Sequence, residues 1–250
     1  MIIKRRSFLR ITAGAAGALG LAGAGLDAGQ ADSRAAGSPI ARLKPMTQGI
    51  VPIADAERLA RMDKARRLMA ENGTSALIVE GGSGLVYFAD VSWWMSERAF
   101  AWILPAKGEM AWVCPKFEED RARELIRFGA DIRTWEEDEN PYRVMAGVLA
   151  DRGIRTGRVA LEERLRFFVF DGLRREAPGL DFVSGDPVTV GCRSIKSAAE
   201  IALMQRANDI TVEAYKAALA MLREGMTKGD FGANASAAFR ALGVLSLIHI

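Results

Sequence analysis

Histidine is almost missing from this chain: His249 is the sole one among 250 residues and stands next to the C-terminus. That excludes a Ser/His/Asp or Cys/His catalytic set, which needs an imidazole held between partners. Cysteine is scarce as well. Cys114 and Cys192 are too few for a disulfide framework and lack metal-ligand spacing, so both read as small buried hydrophobes. An excess of one charge is also lacking. The net charge is +3, yet Lys4, Arg5, Arg6 and Arg10 fall within the first 31 positions against the single acid Asp27, leaving 30 basic and 30 acidic residues beyond them. A neutral body gives nucleic acid no electrostatic footing, because phosphate contacts need a basic surface that stands out from its acids. No Gly-x-Gly-x-x-Gly occurs, and Gly81-Gly82-Ser83-Gly84 is not followed by Lys-Ser/Thr; it reads as a plain turn and not as a phosphate cradle. The apolar run Ile11–Leu26 is 16 residues long and broken by glycines, short of the ~20 that a spanning helix needs.

What is present begins with an address. Lys4-Arg5-Arg6-Ser7-Phe8-Leu9-Arg10 resembles a twin-arginine export signal with Arg5 and Arg6 as its pair, and the weakly apolar run follows as its h-region. Gly29-Gln30-Ala31 has the small-residue form of a cleavage site. The resemblance implies recognition by the twin-arginine export machinery, removal of residues 1–31, and a periplasmic or secreted product. That route carries folded proteins, which suits a metalloenzyme. Residues 32–54, rich in Ser, Gly, Pro and Gln without hydrophobic period, read as a linker or arm.

Ordered structure is expected from Asp55 onward. Half of the residues are hydrophobic, enough for a full core. Asp55 is a candidate N-cap for a helix in which Leu59, Met62, Ala65, Leu68 and Met69 repeat at helical spacing until Gly73. Residues 76–80 and 85–89 read as strands. Residues 99–104 and 110–114 form a hairpin around Pro105-Ala106-Lys107-Gly108-Glu109, and Pro115 stops its second strand. A helix over 118–128, a strand over 131–135 and a helix opened by Pro141 and closed at Gly153 follow. Then come a strand over 158–161, a helix over 164–176 and short strands over 181–183 and 188–190. Alternation of this kind makes an α/β domain, a mixed sheet flanked by helices, over residues 55–190. After Ser197 the pattern is helical only. Ile201, Met204, Ala207, Ile210, Ala214, Ala217 and Met221 mark one face behind a Ser197/Glu200 capping box, and a second helix runs from about Lys228 to Ala241, closing at Gly243.

The order of these features resembles the creatinase/prolidase/aminopeptidase P proteins, M24-type metallopeptidases with a pita-bread catalytic domain. The residues that carry the likeness are Arg66-Arg67-Leu68-Met69, Tyr87-Phe88, Arg98 before Leu104-Pro105, Gly108, Cys114-Pro115-Lys116-Phe117-Glu118, Trp135, Gly157-Arg158-Val159-Ala160-Leu161-Glu162, and Cys192-Arg193 with Lys196, Glu200 and Ala207. Gly225-Met226-Thr227 fits a later turn of the same pattern. Tyr87-Phe88-Ala89-Asp90, which lacks the glycine that often follows this tyrosine, and the pair Lys228 and Asp230 depart from it, which bears on the subfamily.

The resemblance implies a creatinase-type N-terminal domain over 55–190 and the first two helices of a truncated pita-bread domain over 191–244, with 245–250 a tail of non-native appearance. It implies an exported Xaa-Pro aminopeptidase or dipeptidase whose full-length form is a homodimer acting on peptides with Pro at the second position. Full-length relatives use two divalent metals (Mn, Zn or Co) held by two Asp, one His and two Glu, a set that this chain does not contain. The chain alone is therefore expected to bind no cofactor and to be inactive. A non-catalytic exported binding or dimerisation protein and a fragment of a creatinase-like amidinohydrolase remain the alternatives.

Within the segment 91–98, the resemblance implies that Arg98 and Trp94 meet the substrate of a partner subunit, an Arg pairing with a carboxylate and a Trp giving an apolar wall; the other reading is a surface loop whose tryptophans pack on their own domain. The run Glu136-Glu137-Asp138-Glu139 reads as a solvated loop, Glu162-Glu163 beside Arg164 and Arg166 as surface charge, and Phe167-Phe168-Val169-Phe170 as a core-facing helix.

Overall fold

The computed structural model describes residues 37–245. The expected export signal with Arg5 and Arg6, the expected cleavage position after Ala31 and residues 246–250 with His249 lie outside the described residues. Two compact units divide the chain: one is Gly49–Asn208, the other joins residues 37–48 to residues 209–245.

The larger unit starts with helix α1, Asp55–Glu71, which buries Arg58, Arg61, Met62, Ala65 and Met69. Its N-cap is the extended Ala54, without a side-chain hydrogen bond, so Asp55 is not the cap but lies inside the first turn, where its charge complements the helix dipole. Gly73, at φ 62, takes the left-handed conformation that ends the helix and starts strand β1, Thr74–Glu80.

Residues 85–89 are helical and not a strand: helix α2 is Ser83–Ala89. Leu85, Phe88 and Ala89 are its buried positions, an i, i+3, i+4 face that a short apolar run cannot distinguish from a buried strand. The helix ends at Asp90, in the left-handed region at φ 60.

The hairpin forms as expected from β2, Ala101–Pro105, and β3, Ala111–Pro115. A 3-10 turn, Lys116–Glu118, and helix α3, Glu119–Leu125, follow it, a shorter helix than expected because Ile126 is already extended. Next come β4, Asp131–Trp135, and α4, Pro141–Asp151, capped by the Asn140 side chain. The unit goes on with β5, Gly157–Leu161; α5, Phe167–Glu176; and β6, Leu180–Ser184. The expected strand at 188–190 belongs instead to helix α6, Asp186–Arg193, which has Pro187 in its first turn and buries Val188, Thr189 and Cys192.

The six strands form one mixed sheet in the order β4-β3-β2-β1-β5-β6. β1, β5 and β6 are parallel, β1, β2 and β3 antiparallel, and β3 and β4 parallel. One face carries Leu77, Val79, Trp102, Leu104, Trp112, Cys114 and Ala160, packed with residues of α1, α2, α3 and α6. Ala76, Ile78, Ile103, Val113, Val159 and Leu161 of the other face pack with α4 and α5. Burial on both faces is why the central strands read as continuous apolar runs without alternation. Phe167 and Phe168 are exposed, while Val169 is buried and Phe170 partly so; the phenylalanine cluster is core-facing only in its second half.

Helix α7, Ala198–Leu219, begins with the expected box: the Ser197 amide donates to Glu200 at 2.8 Å, and the Glu200 amide to Ser197 Oγ at 3.2 Å. Its predicted face is divided. Ile201 and Met204, in the larger unit, are exposed, whereas Ile210, Ala214 and Ala217, in the smaller, are buried. In the smaller unit they join Ala238, Phe239 and Leu242, the last two flanking the end of helix α8, Lys228–Ala241. Ile40, Leu43 and Met46 pack on this cluster, and the Met46 amide donates to the Leu242 carbonyl at 3.0 Å. Residues 37–48 are thus structural and not a free linker. Thr227 and Asp230 form a second capping box at the start of α8.

Candidate functional site at the ends of the parallel strands

Parallel strands aim their carboxyl ends at one edge of a sheet, and clefts of α/β proteins collect there. Here that edge holds Glu80 of β1, Glu162 just after β5 and Ser184 of β6. The glycine turn after β1 fills the space between strand and loop. A Cβ on Gly81 would lie 2.6 Å from the Trp93 carbonyl oxygen, and one on Gly84 would lie 1.9 Å from Glu162 Oε1. Those close approaches account for Gly81 and Gly84, and Gly82 between them takes φ 133, a conformation open to glycine.

Residues 91–98 run over this turn. Trp93 is 6% exposed and stacks on Phe100 with ring centroids 3.8 Å apart, while Trp94 is 81% exposed. One tryptophan thus packs on its own domain and the other does not. Arg98 donates Nε to Glu137 at 2.7 Å, pairs with Glu97, and lies 4.9 Å over the Phe117 ring. The acidic run is therefore not simply solvated: Glu137 holds Arg98. A substrate carboxylate would have to take Arg98 from that partner.

The loop is fixed from below. Arg166 donates Nη2 to Glu80 Oε1 at 2.7 Å, its backbone amide to Glu80 Oε2 at 3.0 Å, and further bonds to the carbonyls of Ser96 and Arg98. Arg166 is not surface charge. It links a buried carboxylate to the backbone of the loop that carries Trp94 and Arg98.

Glu162 is likewise not on the surface. It is 3% exposed and its Oε1 lacks a hydrogen-bond partner. Burial first, and the neighbouring Glu163 second, push its carboxyl up to about 7, with Arg193 opposing.

The chain matches the model of the Creatinase/Prolidase N-terminal domain over residues 61–195. It belongs to that family. An uncharacterized peptidase of Schizosaccharomyces pombe is 31% identical over 200 residues, covering 74% of this chain and 43% of the relative. The chain spans less than half the length of the curated relatives it matches. Among solved structures, the dipeptidase PepE from Mycobacterium ulcerans shares the fold at TM-score 0.69 and 23% identity, over 77% of this chain and 52% of that one. A prolidase from Thermococcus sibiricus does so at TM-score 0.65 and 21% identity, over 76% and 50%.

In this Creatinase/Prolidase N-terminal domain the stretch from Cys192 to Glu200, which carries part of the family likeness and joins α6 to α7, is bound into the larger unit. The Tyr87 hydroxyl and Lys64 Nζ both donate to the Cys192 carbonyl, at 3.1 and 3.2 Å. Ser197 Oγ donates to Glu57 at 2.8 Å, and Arg61 pairs with both Glu57 and Glu200 while lying 4.1 Å over the Tyr87 ring. Ser83, Tyr87, Arg193, Lys196 and Glu200 line a shallow hollow of about 730 Å³ beside it. Helix α6 passes through 190–191 unbroken, and the larger unit runs on to Asn208.

Among the described residues, no group of three or more His, Cys, Asp or Glu side chains is placed to hold a metal ion; these side chains do not fit a two-metal group. Sequence reasoning missed Glu80, Glu162 and Arg166 as interior groups. The signal was there in part, since Glu80 ends and Glu162 directly follows an apolar strand that runs into the core.

Proposed function

We propose that this chain supplies the N-terminal part of an exported Xaa-Pro-type metallopeptidase, and that Trp94 and Arg98 present a substrate-facing edge to a second subunit. The family match over 61–195 carries the reading. Support for the edge comes from Trp94, a large aromatic left 81% exposed on a loop whose backbone is fastened to a buried carboxylate. Rigid presentation of an exposed aromatic beside an arginine suits recognition, because little conformational freedom is lost on binding.

In this reading the full-length homodimer takes peptides with Pro at the second position, and its two divalent metals (Mn, Zn or Co) are held by residues outside this chain. Export by the twin-arginine route to the periplasm or beyond belongs to the same proposal. The test starts from the coding DNA past codon 250: an open frame supplying Asp, Asp, His, Glu and Glu is expected. The product of the whole frame should hydrolyse Xaa-Pro dipeptides or tripeptides with manganese and lose that activity to a chelator. A stop codon at 251 in the genome, or a full-length product inactive on every Xaa-Pro peptide, defeats it in favour of a non-catalytic binding protein.

A further inference from the structure

The carboxyl of Glu162 has no hydrogen-bond partner for Oε1 and is covered by Gly84 of α2, whose Cα leaves no room for a methyl group. A buried carboxylate without donors is expensive, whereas a neutral carboxylic acid in the same place costs far less. Arg193, at the carboxyl end of α6, reaches the two residues that flank this place, Ser83 beside Gly84 and Glu163 beside Glu162. Its Nη2 reaches Ser83 Oγ at 3.4 Å and its Nη1 stands 3.6 Å from Glu163 Oε1. Both contacts are long, so the guanidinium is weakly held. Glu163 itself accepts a firmer bond, 2.9 Å, from Thr189 Oγ1.

The charged surroundings of Glu162 are few. β1 contributes Glu80, already matched by Arg166; the segment after β5 contributes Glu163 and the exposed Arg164; α6 contributes Arg193; and α2 offers only the Ser83 hydroxyl. Of the two cations, Arg193 exerts the larger pull on Glu162. It also ends the helix that leads into the junction 194–197. A pull on its guanidinium therefore acts on the residue from which 194–197 lead away.

We propose that Glu162 is a proton-controlled latch on the junction: neutral, it lies sealed under Gly84 while Arg193 stays on Ser83 and Glu163; ionised, it draws the Arg193 guanidinium to itself and shifts residues 193–197. The proton leaves to solvent and no other group changes charge. The shift in Glu162 places the exchange near neutral pH, so the junction responds in a range where ordinary carboxylates are already ionised.

The test is a pH titration of the full chain followed by NMR, reading the Glu162 carboxyl carbon and the backbone amides of Ser83 and residues 193–197. The expected result is one shared transition with a midpoint at about 7, lost from the amides in Glu162→Gln. Should that variant fail to fold, Arg193→Ala decides: the Glu162 midpoint should rise for want of its cation, and the transition should vanish from residues 194–197. A Glu162 carbon that titrates below about pH 5, like an ordinary glutamate, overturns the latch. So does an amide transition that survives in Glu162→Gln, or a Glu162 midpoint unmoved by Arg193→Ala.

Discussion

Arg166 Nη2 lies 2.7 Å from Glu80 Oε1, and the carboxylate it reaches is 1% exposed. Glu80 ends β1 in the centre of the sheet, so its charge has no water to fall back on. Taking the cation away leaves an uncompensated buried carboxylate, which costs about 3–5 kcal/mol. Arg166→Ala should lower unfolding free energy by about that much in a denaturant titration. It should also loosen residues 91–98, since Ser96 and Arg98 lose a donor to their carbonyls. A loss below about 1 kcal/mol, the usual worth of an exposed pair, would show that Glu80 finds another partner.

Glu162 gives stability an unusual slope with pH. Its carboxyl is raised from 4.5 to about 7, so the folded state holds a proton that the unfolded chain has released. The resulting stabilisation is fully present below pH 4.5 and is lost as pH rises through about 7. The size is on the order of 3 kcal/mol at about 1.4 kcal/mol per pKa unit. Measured against Glu162→Gln, which does not titrate, the wild-type chain should lose about that much relative stability between pH 4.5 and 7.5. Parallel curves for the two proteins would refute a raised carboxyl. The same crowding predicts that Gly84→Ala destabilises strongly and that Glu162→Ala added to it recovers part of the loss, because the methyl and the carboxyl compete for one space.

Much of this architecture was legible from local pattern. The hairpin followed from two apolar runs around a glycine-bearing loop, and α4 from Pro141, whose fixed φ suits a first turn, while the Asn140 side-chain cap was not foreseen. The two misassigned strands share one physical cause. Segments 85–89 and 188–190 are short apolar stretches on helices packed against a sheet, too short for their periodicity to tell a turn of buried helix from a buried strand. Glu162 and Arg166 looked like surface charge because their neighbours in sequence, Glu163 and Arg164, are exposed; only the end of β5 against α2 decides that one of two adjacent glutamates points inward. The Glu137 partner of Arg98 comes from 39 positions away and carries no local signal.

Thiol chemistry separates burial from exposure in a second way. Cys114 is fully buried, and that burial pushes its thiol up to about 11; Cys192 is also raised by burial. Neither should form the thiolate that reacts. A chromogenic disulfide reagent at pH 8 is expected to label neither cysteine in the folded chain and both after denaturation. Rapid native labelling of Cys192 would mean that α6 opens away from α1, which its Lys64 and Tyr87 contacts oppose.

The adjacent tryptophans give the sharpest division between folding and recognition. Trp93 is sandwiched on Phe100 and lies under the Arg121 guanidinium at 4.5 Å, whereas Trp94 leaves its ring in solvent. Trp93→Ala should therefore cost about 3–5 kcal/mol of stability, the range for a buried aromatic truncation. Trp94→Ala should change stability by no more than about 0.5 kcal/mol, as for an ordinary surface position. If Trp94 faces substrate across a dimer, its removal in the full-length protein raises KM for Xaa-Pro peptides with little change in melting temperature. Arg98→Ala should do the same more strongly, since the guanidinium supplies charge as well as shape. An unchanged KM in both variants would return the segment to the role of a plain surface loop, and a fall in stability for Trp94→Ala matching that for Trp93→Ala would show that its ring is covered in solution.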